Sequence, residues 1–415
     1  MIVSVSPPPP RTAFVDARRW PDVATLPKVS ALRTAATERT VRRALGRLPL
    51  HVRLGGGQPI GLGGPLMEVR DPRAFFRRIA ADGLVGFGES YMAGEWDARD
   101  LVGVLTVLTE QSGRRVPVPL QRLRGPWALG KAAARGDVRP HDDLPNELFE
   151  LFLDDTLSYS SALFRGFPGE QHLLAAAQLR KIDRLLDMAE VTSGTQLLEI
   201  GTGWGELAIR AAQRGARVLT VTRSREQQEL ARLRVRAAGL EDRVTVLLRD
   251  YRKVLGRFDA IVSVEMIEAM GAEQWPDYFM TLDRLLAPSG RVALQAVTVP
   301  HDRLLASRNN FTWIQKYIVP CGLLPSTEAI EQIVTGCTGL RRAGRDGFGA
   351  HYAETLRLWR ERFAARAAEV EALGFDGTFR RMWTFHLSHL EAGFRAGALD
   401  VQQLLLVKDQ DLGTG

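Results

Sequence analysis

Apolar and polar positions alternate along the second half of the chain in the rhythm of strands and helices. Gln196–Ile200, Arg217–Thr222, Val244–Leu248, Phe258–Val264 and Arg291–Val297 are short, nearly continuous apolar runs and predict buried strands. Between them, Gly205–Arg214, Glu226–Ala238 and Pro276–Leu286 carry apolar residues at helical spacing. Strands that regularly alternate with helices predict an α/β fold with a doubly wound, mostly parallel sheet. Two long helices are expected after it, Tyr352–Leu373 and Thr378–Ala396, and Val401–Val407 reads as a closing edge strand.

The first half is less regular. Residues 1–30 form a proline-rich arm, and 31–112 read as a smaller α+β domain. Its expected elements are a helix over Ala31–Leu48, a strand over Leu50–Leu54, helices over Arg73–Asp82 and Leu101–Leu108, and a glycine-punctuated turn over Gly83–Gly88. Residues 113–145 are a basic linker, 146–415 the α/β domain, and 300–340 an aromatic insertion within it.

Charge changes the picture by its distribution. The 415 residues carry a net charge of +7, but residues 1–140 hold 22 Lys/Arg against 12 Asp/Glu. Arg114, Arg115, Arg122, Arg124, Lys131, Arg135 and Arg139 face only Asp137 between Gln111 and Pro140. A basic region of this kind suits an anionic partner, a phospholipid surface or a nucleic acid; genomic base composition also favours arginine. No apolar run reaches the roughly 18–20 residues of a membrane span, and the chain's opening lacks the cationic start of a signal peptide. Two cysteines supply neither a disulfide framework nor a zinc site, and His301, His386 and His389 show no metal-ligand spacing. A cytoplasmic protein is expected, with no bound metal.

The sharpest local signal is Leu197-Leu198-Glu199-Ile200-Gly201-Thr202-Gly203-Trp204-Gly205, a strand that runs through glycines into a helix. Such a turn brings the backbone close to a ligand at the carboxyl end of the sheet. Dinucleotide folds share glycine turns, but here Glu206 stands where their fingerprint needs Gly or Ala, and Glu199 offers a carboxylate to an ammonium group. This stretch resembles the first motif of class I S-adenosylmethionine (SAM) methyltransferases. By that resemblance, Thr222 and Gln227 contact the ribose or methionine portion, Asp250 with Tyr251 lies at the adenine, and Gly201 and Gly203 line the cofactor. A helix-capping role for Thr222 and Gln227 is the alternative.

Longer motifs narrow the reading. Gly83–Trp96, Tyr159-Ser160-Ser161-Ala162, Val262–Glu268, Trp313–Ile318, Leu323-Leu324-Pro325-Ser326, Gly349-Ala350-His351-Tyr352 and Gly393-Phe394-Arg395 resemble the cyclopropane-fatty-acyl-phospholipid synthase family. The resemblance spans roughly residues 65–410 and is strongest to actinobacterial members that make tuberculostearic-type branched lipids. It implies methyl transfer from SAM to the cis double bond of an acyl chain in a phospholipid bilayer. It also implies a bound bicarbonate as base, a homodimer, and peripheral attachment to the inner face of the membrane. An alkene is a weak nucleophile, so the site must align and shield rather than activate.

Carried onto this chain, the bicarbonate is held by Glu268, Tyr352, the turn at Ser161 and Gln295, with Tyr159 and Ser160 beside the cofactor and Tyr317 as a further catalytic candidate. Ser161 and Gln295 replace the family's Cys and His, and His141–Asn146 also departs from its pattern. Gln295 donates a hydrogen bond but takes up no proton at neutral pH. A retuned base leaves two products open. Loss of a proton from the new methyl closes a cyclopropane; a hydride shift and loss of a neighbouring proton give a methylene branch, which a separate reductase would saturate. The departures favour the branch. Phe164, Phe167, Phe311, Trp313, Phe348 and Trp383 are either an acyl tunnel or ordinary core. The rival functions are a small-molecule C-methyltransferase of secondary metabolism and a catalytically inactive lipid-binding protein. A nucleic-acid methyltransferase accounts for the charge and for none of the insertion motifs, so no nucleic acid is expected.

Overall fold

In the computed structural model, which describes residues 15–113, 144–308 and 310–408, the chain divides into two compact units. The first takes the described residues up to 113, together with Phe311–Tyr317 and Val370–His386; the second takes the rest. Chain order placed both of those later segments with the α/β domain.

The first unit runs α1 (Pro21–Ala24), α2 (Ala31–Leu45), β1 (His51–Leu54), β2 (Leu66–Val69), α3 (Pro72–Asp82), α4 (Leu84–Met92), β3 (Trp96–Asp97) and α5 (Leu101–Gly113). Ser30 caps α2 by accepting from the Arg33 amide, and Asp71 caps α3 with Pro72 in its first turn. β1 and β2 are parallel, and β3 is antiparallel to β2.

One expectation fails here: Gly83–Gly88 is not a turn, because all but Gly83 belong to α4. The glycines serve packing. A Cβ on Gly86 would strike the Arg78 carbonyl, and one on Gly88 would strike the Trp313 indole. Close approach, which only glycine permits, outweighs its poor helix propensity at these two positions. Phe87 is consequently stacked on Trp96, with ring centroids 4.7 Å apart, in a core shared with Phe75, Phe76 and Phe385.

The second unit and the remaining elements follow as α6 (Asn146–Phe152), α7 (Leu174–Met188), β4 (Gln196–Ile200), α8 (Glu206–Gln213), β5 (Arg217–Thr222), α9 (Arg225–Ala237), β6 (Val244–Leu248), β7 (Phe258–Val264), α10 (Trp275–Leu285), β8 (Leu286–Thr298), α11 (His301–Ser307), α12 (Trp313–Tyr317, in the first unit), α13 (Thr327–Cys337), β9 (Leu340–Gly347), α14 (Gly349–Ala365), α15 (Ala367–Ala372), α16 (Gly377–Arg395) and β10 (Asp400–Lys408). Seven strands form one sheet in the order β6-β5-β4-β7-β8-β10-β9. The first five are parallel, and β10 is antiparallel to both its neighbours.

β10 is therefore not the edge strand expected. The edge is β9, whose Leu-Arg-Arg-Ala-Gly-Arg-Asp-Gly sequence lacks an apolar rhythm and leaves most residues exposed. Charge on an edge strand blocks further pairing, which explains a strand without the usual signal. The helix expected over Tyr352–Leu373 is broken between α14 and α15 at Arg366.

Successive residues of β4 feed opposite faces of the sheet. Leu198 joins a core with Trp275, Phe279, Ile330 and Leu404, and Leu197 one with Ile182, Leu185, Ala208 and Ala231. Helices thus cover both faces, as a parallel sheet requires.

Candidate functional site

The chain leaves β4 toward β5 and β6, then returns to β7 on the other side. That reversal between β4 and β7 opens a crevice at the carboxyl ends of the strands, where doubly wound folds bind ligands.

On one side lies the glycine turn. Gly201, Gly203 and Gly205 have φ of 96°, 52° and 90°, a conformation that other residues reach only under strain. Glu199, near the end of β4, is buried, and its Oε2 has no hydrogen-bond partner. Burial pushes its carboxyl up to about 8, against the pull of Thr220 and the Lys181 charge. A buried carboxyl with one unpartnered oxygen beside a glycine cradle fits the ammonium end of SAM.

The other cofactor candidates are engaged with protein groups. Thr222 Oγ1 donates to Gln227 Oε1 at 2.8 Å, while Ser224 caps α9 by accepting from the Gln227 amide. Capping is therefore Ser224's task. Asp250 takes two hydrogen bonds from the Arg252 guanidinium, at 2.9 and 2.6 Å, which hold its carboxyl below the usual range. Tyr251 packs edge-on against Tyr278. Tyr159 is stacked on Trp359 at 5.2 Å, in an aromatic group with Phe149 and Phe152.

The catalytic candidates converge, but on a different carboxylate from the one the motif indicated. Tyr352 donates its hydroxyl to Glu265 Oε2 at 2.7 Å. The Ser161 amide and the Gln295 side-chain amide donate to Glu265 Oε1 at 3.0 and 2.8 Å. Ser161 turns its own hydroxyl to the Ala162 carbonyl. Glu265 follows β7 directly with φ of 52°, rare for a non-glycine residue and strained. Burial raises its carboxyl, opposed first by the Ser161 amide, then by Tyr352, Gln295 and the Lys181 charge.

Glu268 is not bonded to Tyr352. Its Oε1 accepts from the Val297 amide, its buried Oε2 has no partner, and burial together with the Glu265 charge lifts it to about 8. The groups expected to hold a bicarbonate thus end on Glu265, and the residues present do not fit a separate ion there. Tyr317 lies in the first unit and donates to Glu89 Oε1 at 2.8 Å, where Lys316 also bonds at 2.5 Å. Sequence reasoning missed Glu265, although its place right after an apolar strand, at the crevice, was a usable signal. It also missed Lys181, wholly buried on α7, which donates to Ser160 Oγ at 2.5 Å. Burial lowers that ammonium to about 8, against Glu265, Asp154 and Glu199.

A doubly wound sheet, a glycine turn at its switch point and a buried carboxyl with an unpartnered oxygen beside it define a class I SAM-dependent methyltransferase. Comparison narrows the class. The family model described as mycolic acid cyclopropane synthetase matches residues 130–404, and the chain belongs to that family. It is 49% identical over 426 residues to the tuberculostearic acid methyltransferase UfaA1 of Mycobacterium tuberculosis, covering 99% of both chains. It is 33% identical over 364 residues to the cyclopropane-fatty-acyl-phospholipid synthase of Escherichia coli K12, covering 84% of this chain and 89% of that one. Mycolic acid cyclopropane synthase CmaA1, solved in complex with SAH and CTAB, superimposes with a TM-score of 0.60 at 28% identity, over 65% of this chain and 97% of that one. The protein is accordingly a SAM-dependent methyltransferase of the cyclopropane synthase type.

Proposed function

We propose that this enzyme methylates the cis double bond of unsaturated acyl chains in phospholipids and that Glu265 is the base that completes the reaction. The observation that carries the reading is the set of donors on Glu265 from Ser161, Gln295 and Tyr352. When bound, SAM supplies an electrophilic methyl group. The chain's own residues do the rest. Glu199 and the Gly201–Gly205 turn hold the cofactor's methionine end. Methylation of the alkene leaves a carbocation on the neighbouring acyl carbon; a hydride shift moves the charge to the methylated carbon, and the Glu265 carboxylate takes a proton from the new methyl group to leave a methylene branch. Three donors aim that carboxylate and, with the buried Lys181 charge, oppose the burial that raises it. A base fixed to β7 takes the place of a diffusible bicarbonate.

The product we assign is a methylene branch, for a separate reductase to saturate; identity to a tuberculostearic acid methyltransferase supports this over a cyclopropane. The enzyme works as a homodimer, peripheral on the inner face of the membrane. No helix among the described residues is long and apolar enough to cross a membrane. Attachment falls to the basic first third, including Arg114–Arg139, which lies outside the described residues, and to the exposed Leu32 and Leu84 of α2 and α4. Mass spectrometry of oleoyl phospholipid vesicles incubated with methyl-labelled SAM tests the reading. Label in a branched acyl chain is expected; label only in headgroups or small molecules contradicts it, and exclusive cyclopropane formation contradicts the product assignment.

A further inference from the structure

Gln295, one of the three donors to Glu265, has an amide that could face the carboxylate with its oxygen or its nitrogen. Its neighbours decide. Arg184, on α7, donates from Nε to Gln403 Oε1 at 2.5 Å. A guanidinium has no acceptor, so Gln403 must present its oxygen to Arg184 and its NH2 inward. That NH2 donates to Gln295 Oε1 at 3.0 Å and to the Lys181 carbonyl at 3.3 Å. With its oxygen taken, Gln295 has only Nε2 left to offer Glu265, at 2.8 Å. Gln403 and Gln295 are fully buried, so water does not scramble the order. Arg184 is anchored at its outer end by Asp346 at 2.5 Å and by the Phe348 ring, 4.6 Å from its guanidinium carbon.

We propose that Arg184 and Gln403 are positioning residues: a one-way relay of hydrogen bonds from Arg184 through Gln403 and Gln295 locks the donor side of Gln295 onto Glu265 and favours its ionised form. The proposal rests on the reading of Glu265 as the base. Each amide passes on the polarity set by the arginine, so a partly exposed cation tunes a buried carboxylate it does not touch. Other charged and titratable groups also face Glu265. Lys181 does so from α7 with Glu199 and Asp154 beside it, Glu268 from the loop after β7, and Tyr352 from α14 with Tyr159 behind it. None of these bonds to Gln295 or Gln403 through a side chain among the described residues, so the relay can be broken apart from them.

The test reads the proton affinity of Glu265 directly, by infrared pH titration of its carboxyl band, assigned by the band's loss in Glu265→Gln. Arg184→Met and Gln403→Leu should raise that affinity by roughly one pH unit, and Arg184→Lys, which keeps a cationic donor, should restore it. Gln403→Glu accepts from both sides and turns Gln295 about, so that its oxygen confronts Glu265; the rise should be at least as large. A base that binds its proton more tightly moves the acid limb of the methyl-transfer profile upward by the same amount. Thermal melts establish that each variant is folded. Folded Arg184→Met and Gln403→Leu enzymes that both titrate like the wild type would overturn the relay. A Glu265→Gln enzyme with undiminished turnover would overturn the base assignment instead, and the infrared titration would still judge the relay.

Discussion

Binding of SAM should expel a proton from Glu199. In the free enzyme this carboxyl is pushed up to about 8, so at pH 7 it is about nine-tenths protonated. With the proposed placement, the cofactor's ammonium would meet the unpartnered Oε2, and an opposite charge at that range lowers a carboxyl by about 1–3 units. A drop of one unit leaves the group about half protonated; a drop of three leaves it ionised. Release from Glu199 therefore lies between about 0.4 and about 0.9 of a proton. Calorimetric titration of SAM at pH 7 in phosphate, HEPES and Tris measures this as the slope of apparent enthalpy against buffer ionisation enthalpy. Glu199→Gln removes the ionisable group, so the difference in slope between wild type and variant isolates it. Equal slopes, with binding intact in both, would refute the placement of the ammonium at Glu199.

Glu268 is also lifted to about 8, above its ordinary 4.5, so the folded state keeps a proton that the unfolded chain has lost. Its contribution to stability is therefore fully present below about 4.5 and is lost as pH rises toward about 8. Glu268→Gln stays neutral, and its melting temperature should gain on the wild type across that window; parallel curves would contradict this. Gly88→Ala forces a methyl group into the Trp313 indole and should cost about 1–3 kcal/mol in chemical denaturation, where an unchanged midpoint would contradict the packing account. Charge reversal of Arg114, Arg115, Arg122 and Arg124 should weaken sedimentation with anionic vesicles while leaving SAM affinity alone. Each is worth on the order of 1 kcal/mol at low salt, and equal binding to neutral vesicles would contradict the proposed attachment.

The parallel strands were legible because burial of both faces of the sheet makes them largely apolar; β4, β5, β6 and β7 begin and end where the pattern placed them. β9 was not, because an edge strand is free to be polar, and missing it made β10 look like the rim. α4 was misread because its glycines answer to Arg78 and Trp313, distant partners that no local pattern displays. The site divides in the same way. Glycine spacing marks the cofactor cradle, since backbone geometry is a local demand. The choice between Glu265 and Glu268 depends on a left-handed residue at the end of β7, which turns the first carboxylate toward Ser161, Gln295 and Tyr352 and leaves the second on the Val297 amide. Long-range hydrogen bonds of this kind, like the Arg184–Gln403–Gln295 series, leave no periodic trace.

The most direct test of Glu265 as the base is methyl transfer from SAM carrying a trideuterated methyl group to oleoyl phospholipid vesicles, with the acyl products weighed by mass spectrometry for wild type and Glu265→Gln. A general base contributes typically about 100- to 10,000-fold, so Glu265→Gln, folded and still binding SAM, should lose turnover on that scale. The wild-type product should retain two of the three deuterons, because the base takes one from the transferred group. Turnover by Glu265→Gln near the wild-type rate, or a wild-type product that keeps all three deuterons, would contradict the account.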